Sequence, residues 1–217
     1  MAFGSPQWMY ASGEDFPIEQ SLRFNDNDSS YLQQTPSSAG NRRTWTLSFW
    51  MKRGNIGTYQ SVFHCYDSSG SVPRKQLRLR LNSDNTLALI DWQNDLVKSD
   101  GLYRDPSAWM HIVIRMDTTQ GSASDRLKIY VNGTEMVYAT DGRSSYVGQN
   151  VEFPVCGAFP VEFSGRTSYN ADQYFDGYLA EIHLIDGTAL DPTSFGEFGD
   201  YGEWKPIEVS GLTYGTN

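Results

Sequence analysis

The chain has 217 residues and a formal net charge of −9, from 17 Lys and Arg against 26 Asp and Glu. That acidity speaks against nucleic-acid binding, where a basic face usually meets the phosphates, and no apolar run reaches the roughly 18–20 residues that span a bilayer. The excess lies in Gly (20), Tyr (13), Phe (11) and Trp (6), a composition of turns and aromatic strands that predicts an all-β fold.

Residues 1–20 read as an irregular N-terminal arm. They carry Phe3, Trp8, Met9, Tyr10 and Phe16, more large apolar groups than a solvated tail needs. The arm either packs on its own domain or docks on a partner, and these five residues are the candidate docking contacts. The first thirty residues hold Glu14, Asp15 and Glu19 but no basic segment followed by an apolar one, so no secretory signal is expected.

Strand signals then recur between turn residues. Ser21–Phe24 opens them, and Asn25-Asp26-Asn27-Asp28-Ser29-Ser30 is a loop before Tyr31-Leu32. The carboxylates of Asp26 and Asp28 are hard oxygen ligands suited to calcium, and the same tract also reads as a plain Asx-rich turn. Trp45–Met51 alternates, with Trp45, Leu47, Phe49 and Met51 on one face and Thr44, Thr46, Ser48 and Trp50 on the other. Gln60–Tyr66 is a compact strand. Gln76–Leu81 places its leucines inward and Gln76, Arg78 and Arg80 outward, and turns through Ser83-Asp84-Asn85 into Thr86–Trp92.

Trp109–Asp117 and Leu127–Val131 follow. Asn132-Gly133 is the strongest hairpin turn in the chain and leads to Glu135–Ala139. Residues 140–172 are loop-rich around an apolar piece at Val155–Phe163, and Tyr174–Ile185 is the last strong strand. Asp191 is placed to cap one short turn at Pro192-Thr193-Ser194-Phe195. Residues 186–217 read as a closing segment without a core of its own. Cys65 and Cys156 are either two buried thiols or one long-range disulfide, and without a CxxC pair a zinc site is not expected. No helix of ten or more residues and no internal repeat is predicted. Short strands of this spacing predict a two-sheet antiparallel sandwich.

The order of SLRFNDNDSSYLQ, RTWTLSFWMKRG, AWMHIVIRMD, DRLKIYVNG and YFDGYLAEIHLIDGTAL resembles the laminin-G-like, concanavalin A-like jelly-roll family over roughly residues 20–190. The division expected is an arm at 1–20, a sandwich at 21–190 and a closing segment or linker at 191–217. The pieces AGNRRTWTLSFWMKRGN, FDGYLAEIHLIDGTALDPTSFGEF and GLTYGTN are similar to fibre-like or decorating virion proteins of tailed bacteriophages, especially marine phages. That likeness implies a non-enzymatic structural protein of the virion, made in the host cytoplasm. It would be a capsid decoration, head fibre or tail-fibre module that docks on other capsid or tail proteins as a homo-oligomer, with a trimer as one form. The alternative is a lectin-like module that binds host-surface glycans, with Trp50, Trp92 and Tyr103 as ligand-binding residues and Trp109 as a further conceivable platform. Trp50 is open to two roles, second-face core or surface contact. No cofactor is required on this reading, and family members often hold one calcium in rim loops.

The same fold hosts β-glucan hydrolases with a pattern that resembles E-x-D-x-x-E. Here Glu181 is followed by His183 and Asp186 in those places. A retaining mechanism needs carboxylates about 5–5.5 Å apart, and a turn at Gly187 with a shorter Asp186 argues against it. His64 adjoins Cys65, but neighbouring strand residues point to opposite faces, so no Cys–His dyad is expected.

Overall fold

The computed structural model describes residues 16–70, 75–92, 94–139 and 147–215. The expected contacts Phe3, Trp8, Met9 and Tyr10 lie outside the described residues. Two six-stranded antiparallel sheets face each other, and no helix among the described residues is long and apolar enough to cross a membrane.

The first sheet is built from β1 (Leu22–Phe24), β12 (Gly177–Asp186), β3 (Thr44–Arg53), β8 (Met110–Asp117), β9 (Leu127–Val131) and β10 (Thr134–Glu135), in that order across the sheet. The second runs β2 (Leu32–Gln34), β11 (Val161–Phe163), β4 (Gln60–Tyr66), β5 (Gln76–Leu81), β6 (Leu87–Asp91) and β7 (Asn94–Lys98). The all-β two-sheet sandwich expected from the alternation, and the jelly roll that the family resemblance implies, are the fold observed. Trp45, Leu47, Phe49 and Met51 of β3 are buried against Phe63, Leu77, Leu79, Leu89 and Phe163 of the other sheet. Cys65 and Cys156 are both buried and free.

Simple inside–outside alternation fails on the outer faces, because both are covered. On the first sheet Thr46, Ser48 and Trp50 are as buried as their inward neighbours. Residues 186–215 lie over them, including a hairpin of β13 (Gly196–Phe198) and β14 (Trp204–Pro206). This segment has a small core of its own: Val113, Ile185 and Phe195, with Tyr130, Leu190, Val209 and Leu212 packed around them. Backbone groups tie it down where the chain leaves β12. The Thr46 hydroxyl donates to the Thr188 carbonyl at 2.7 Å and accepts from the Leu190 N–H at 2.7 Å. Asp191 stands at the N-cap of the turn Pro192–Ser194, but its side chain makes no capping bond and instead faces Arg115 at 3.6 Å.

Trp204 is the anchor of this layer. Asn132 (φ 49°) and Gly133 (φ 75°) both have positive φ, as a type I′ hairpin requires. A Cβ on Gly133 would fall inside the Trp204 ring. The indole N–H donates to His111 Nδ1 at 3.0 Å. Indole nitrogen is only a donor, so Nδ1 carries no proton, and the imidazole N–H sits on Nε2, 2.8 Å from the Ser48 hydroxyl. The ring stacks on Trp50 at 4.9 Å and on Trp204 at 5.9 Å.

Three element boundaries depart from expectation. The strand predicted at Thr86–Trp92 ends at Asp91, and the chain turns straight back into β7, whose Asn94-Asp95 start gave no strand signal. Glu135–Ala139 pairs only at its start, followed by an isolated bridge between Tyr138 and Ser99. The last strand starts at Gly177 and is broken by a bulge between Ala180 and His183, with Glu181 at φ 47°.

Burial pushes the His111 imidazole down to about 3. An unfolded His takes up a proton near 6.5, so between pH 6.5 and about 3 only the unfolded chain is protonated there. Stability falls as pH drops through that window, by roughly 1 kcal/mol per pH unit. His111→Gln keeps an acceptor for Trp204 without a titrating ring. Urea unfolding at pH 7, 5.5 and 4.5 is expected to show a shallower acid loss in the variant, and identical slopes would refute the assignment.

Candidate functional site

The outer face of the second sheet carries a row of polar residues in register. Gln33 of β2 opposes Glu162 of β11, Glu162 opposes His64 of β4, and His64 opposes Arg78 of β5. Sequence alternation made Gln76 and Arg78 solvent-facing, yet both are buried. The chain from Ser164 to Phe175 folds over them.

Glu162 fixes that cover. Its side chain is fully buried and accepts five hydrogen bonds. Gln33 Nε2 (2.7 Å), the Ser168 N–H (2.8 Å) and the Thr167 hydroxyl reach Oε1. His64 Nδ1 (2.8 Å) and the Ser168 hydroxyl (3.1 Å) reach Oε2. Burial raises the carboxyl pKa, but the bonds from His64, Thr167 and Ser168 outweigh it, and the net shift is downward. Glu162 is therefore ionised in the native state. Gln76 Nε2 donates to His64 Nε2 at 2.8 Å, which puts the single imidazole proton on Nδ1. Burial is also the first cause that lowers the His64 pKa.

Ser168, His64 and Glu162 look like a hydrolytic trio, but the roles do not fit. A general base needs one ring nitrogen on the acid and the other on the nucleophile. Here Ser168 and Glu162 crowd the same nitrogen, and Gln76 occupies the other. The cluster is a clamp.

The clamp presents three rings. His64 stacks on Tyr66 (6.3 Å, 11°), and Tyr66 stacks on Trp92 (6.0 Å, 13°). Tyr169, from the clamped loop, meets Tyr66 at 5.2 Å and Trp92 at 5.5 Å, edge to face. Trp92 is 40% exposed and Tyr169 39%. Trp92 occupies the β6–β7 turn at φ 35°. A bulky residue there is an outlier, and such strain, of order 1–3 kcal/mol, collects at functional positions. Arg166 lies over the Tyr169 ring at 5.2 Å and pairs in fork fashion with Asp172. Arg78 donates to Gln173 Oε1 at 3.1 Å, and its Nε is buried without a partner. The arrangement is a half-exposed aromatic surface, two stacked rings with a third edge-on, bordered by guanidinium and carboxylate groups.

Of the sequence candidates, Trp92 belongs to this surface. Trp50 does not: at 6% exposure beneath the C-terminal layer, it takes the core role of the two open to it. Tyr103 packs on the main core, its carbonyl accepts from the buried Arg53 guanidinium, and burial raises its phenol pKa. Trp109 lies apart, tilted on Tyr178 at 6.4 Å. Phe16 is half-buried and outside both sheets. Asp26 and Asp28 form a three-residue 3₁₀ turn. Asp26 accepts from Asn55 at 3.0 Å and Asp28 from Asn25 at 2.8 Å. Among the described residues no three His, Cys, Asp or Glu side chains gather as a metal set. Tyr66 and Tyr169 were missed. Tyr169 stands in a Ser-Gly-Arg-Thr-Ser-Tyr-Asn loop without periodicity, and it reaches the sheet through Glu162 together with bonds from Ser164, Gly165 and Gln173 to β4 and β5.

The Glu181–His183–Asp186 stretch does not form a paired-carboxylate cleft. Glu181 pairs with His183 at 3.4 Å under the C-terminal layer, where no water-sized space remains. Asp186 faces a different cavity and accepts from the Asn41 N–H at 2.7 Å.

Glu162→Gln leaves too few acceptors for five buried donors. We expect a loss of at least about 2 kcal/mol, or roughly 4–8 °C in Tm for a chain of this size, read by calorimetry. An unchanged Tm would show that the carboxylate does not hold the loop.

Comparison with known proteins matches residues 25–193 to the Laminin_G_3 model of the concanavalin A-like lectin/glucanases superfamily. Domains LG4-5 of the mouse laminin alpha1 chain align over 94% of this chain and 48% of that one, at 12% identity and TM-score 0.53. The K499G mutant of NanB sialidase from Streptococcus pneumoniae aligns over 82% of this chain and 28% of that one, at 12% identity and TM-score 0.53. A heptameric SAP-like pentraxin from Limulus polyphemus aligns over 81% and 76%, at 16% identity and TM-score 0.49. The chain thus spans about half of the laminin fragment and just over a quarter of the sialidase, and at these identities the likeness is one of fold. A search of curated proteins finds no match. With the sandwich, the strand order and the matched span in agreement, the chain belongs to the Laminin_G_3 family of the concanavalin A-like lectin/glucanases superfamily.

Proposed function

We propose that the protein is a non-enzymatic binding module that takes a carbohydrate on the Tyr66–Trp92–Tyr169 surface. The observation that carries this reading is Trp92, held at positive φ with its ring half-exposed and stacked on Tyr66. A hydrophobic ring left at the surface in a strained turn contributes little to the core. It does offer a rigid face for the C–H side of a sugar ring, and Arg166, over the neighbouring Tyr169 ring, supplies with Asp172 polar groups for hydroxyls. The superfamily fits carbohydrate-binding or structural roles.

The finer proposal is that this module serves in a tailed-phage virion, as a capsid decoration or fibre component that docks on other virion proteins and adheres to host-surface glycans. Its support is the likeness of AGNRRTWTLSFWMKRGN and FDGYLAEIHLIDGTALDPTSFGEF to such proteins. Antibody labelling of purified particles tests this part, and particles that never carry the protein would end it.

The binding reading is tested on a glycan array, with calcium and with chelator. Wild-type protein is expected to retain a subset of glycans. Trp92→Ala is expected to weaken retention at least tenfold, about 1.4 kcal/mol, while Tyr103→Phe leaves it unchanged. No binding by wild type, or equal binding by Trp92→Ala, would overturn the assignment.

A further inference from the structure

The layer that covers the first sheet stops one row short of its end. Trp50 and His111 lie beneath it, at 6% and 1% exposure. The next row on the same face is Arg23 of β1, Tyr178 of β12 and Lys52 of β3, paired in register. Trp109 completes it. It precedes Met110, the partner of Met51, and stands two residues from His111 on the same face. Trp109 and Tyr178 are each 36% exposed, and their rings meet at 6.4 Å with a tilt of 58°. Arg23 lies over the Tyr178 ring at 5.2 Å and is tied to Asp176 and to the Gly177 carbonyl.

This row is rich in donors and short of acceptors. Lys52 makes no hydrogen bond or ion pair with the described residues, and neither the Trp109 indole N–H nor the Tyr178 hydroxyl has a hydrogen-bond partner among them. Asp105 feels the Lys52 charge, but it is already engaged by the Ser107 hydroxyl at 2.6 Å and the Ser107 N–H at 2.8 Å. Asp176 matches Arg23. In a chain of net charge −9, Lys52 is thus a cation left over between two half-exposed rings.

We propose that this row is a second binding site, which takes a uronate residue of an acidic saccharide. The C–H face of the sugar lies on the Trp109 indole, and its carboxylate takes the Lys52 ammonium, with the Tyr178 hydroxyl as a further donor. Charge selects an acid over a neutral sugar. Size selects a saccharide over a protein partner. A specific protein interface covers about 800 Å² and 20–30 residues on each side, whereas this row of four side chains spans roughly 14 Å from β1 to the start of β8. The site faces away from the Tyr66–Trp92–Tyr169 surface on the other sheet and does not depend on it.

Trigalacturonate and its methyl ester present the same rings with and without charge. Titration calorimetry on the full chain carrying Trp92→Ala removes the contribution of the other aromatic surface. This variant is expected to bind the acid at least tenfold more tightly than the ester. Adding Lys52→Met keeps the stem without the ammonium and should abolish the preference, and adding Trp109→Ala should weaken the acid at least tenfold. Both substitutions alter side chains at the surface, so Tm is expected to stay unchanged. The proposal falls if acid and ester bind alike, if neither added substitution matters, or if poly-glutamate competes as well as the uronate, which would mark charge alone. It also falls if Trp92→Ala by itself abolishes uronate binding that the wild type shows, because the surface on the other sheet would then be the uronate site.

Discussion

The buried carboxylate of Glu162 is the constraint on which the cover of the second sheet depends. An ionised side chain removed from water must be saturated with donors, and here five converge on it from β2, β4 and the loop that follows β11. The demand is reciprocal. The loop at Thr167 and Ser168 has no apolar face of its own to bury, so the charge gives it a reason to lie on the sheet. Tyr169 is delivered to Tyr66 and Trp92 as a consequence. The aromatic surface therefore rests on this charged anchor together with the backbone bonds that tie Ser164, Gly165 and Gln173 to β4.

The first sheet solves the same problem with another histidine. On both outer faces a neutral imidazole beneath the covering chain bridges two polar partners, yet the tautomers are opposite. Gln76 donates to His64 Nε2, and Trp204 donates to His111 Nδ1. In each case the donor fixes which nitrogen keeps its proton, and that proton points to the remaining partner, Glu162 or Ser48. Burial lowers both pKa values, so these rings act as uncharged two-ended connectors near neutral pH. Acid works against both covers at once, because protonation adds a proton where a donor already points.

This double covering explains what was legible in the sequence. Period-two alternation identified the strands and their inward residues, as Trp45 to Met51 and Leu77 to Leu81 illustrate. Asn132-Gly133 gave its turn type, because only residues tolerant of positive φ fit there. Alternation carries no information about what lies over the outer face. Ser48, Trp50, Gln76 and Arg78 read as solvent-facing or ambiguous because their covers come from segments rich in Gly, Pro, Ser and Asp with no period. The strands of the closing hairpin were missed for the same reason, since Gly196–Phe198 and Trp204–Pro206 are too short to show a pattern. In the candidate site, Trp92 was visible as a large ring next to a strand end. Tyr66 was hidden among strand residues, and Tyr169 needed a hydrogen-bond partner far away in sequence.

The three rings come from three separately fixed elements, and this determines what they can do. Tyr66 is held by β4 and by the stacked His64, Tyr169 by the Glu162 clamp, and Trp92 by the turn into β7. Each ring is ordered before any ligand arrives, so the entropy of fixing it is spent in folding and not in binding. That favours ligands with weak individual contacts, for which an interface that had to order itself would leave no net affinity. A sugar ring is such a ligand, since its hydroxyls exchange water for protein at little gain and its C–H face needs a flat partner already in place. The left-handed conformation of Trp92 follows from the same logic. A relaxed strand residue at that position would turn its ring along the sheet, whereas the strained turn sets it beside Tyr66 and leaves the indole partly exposed for contact.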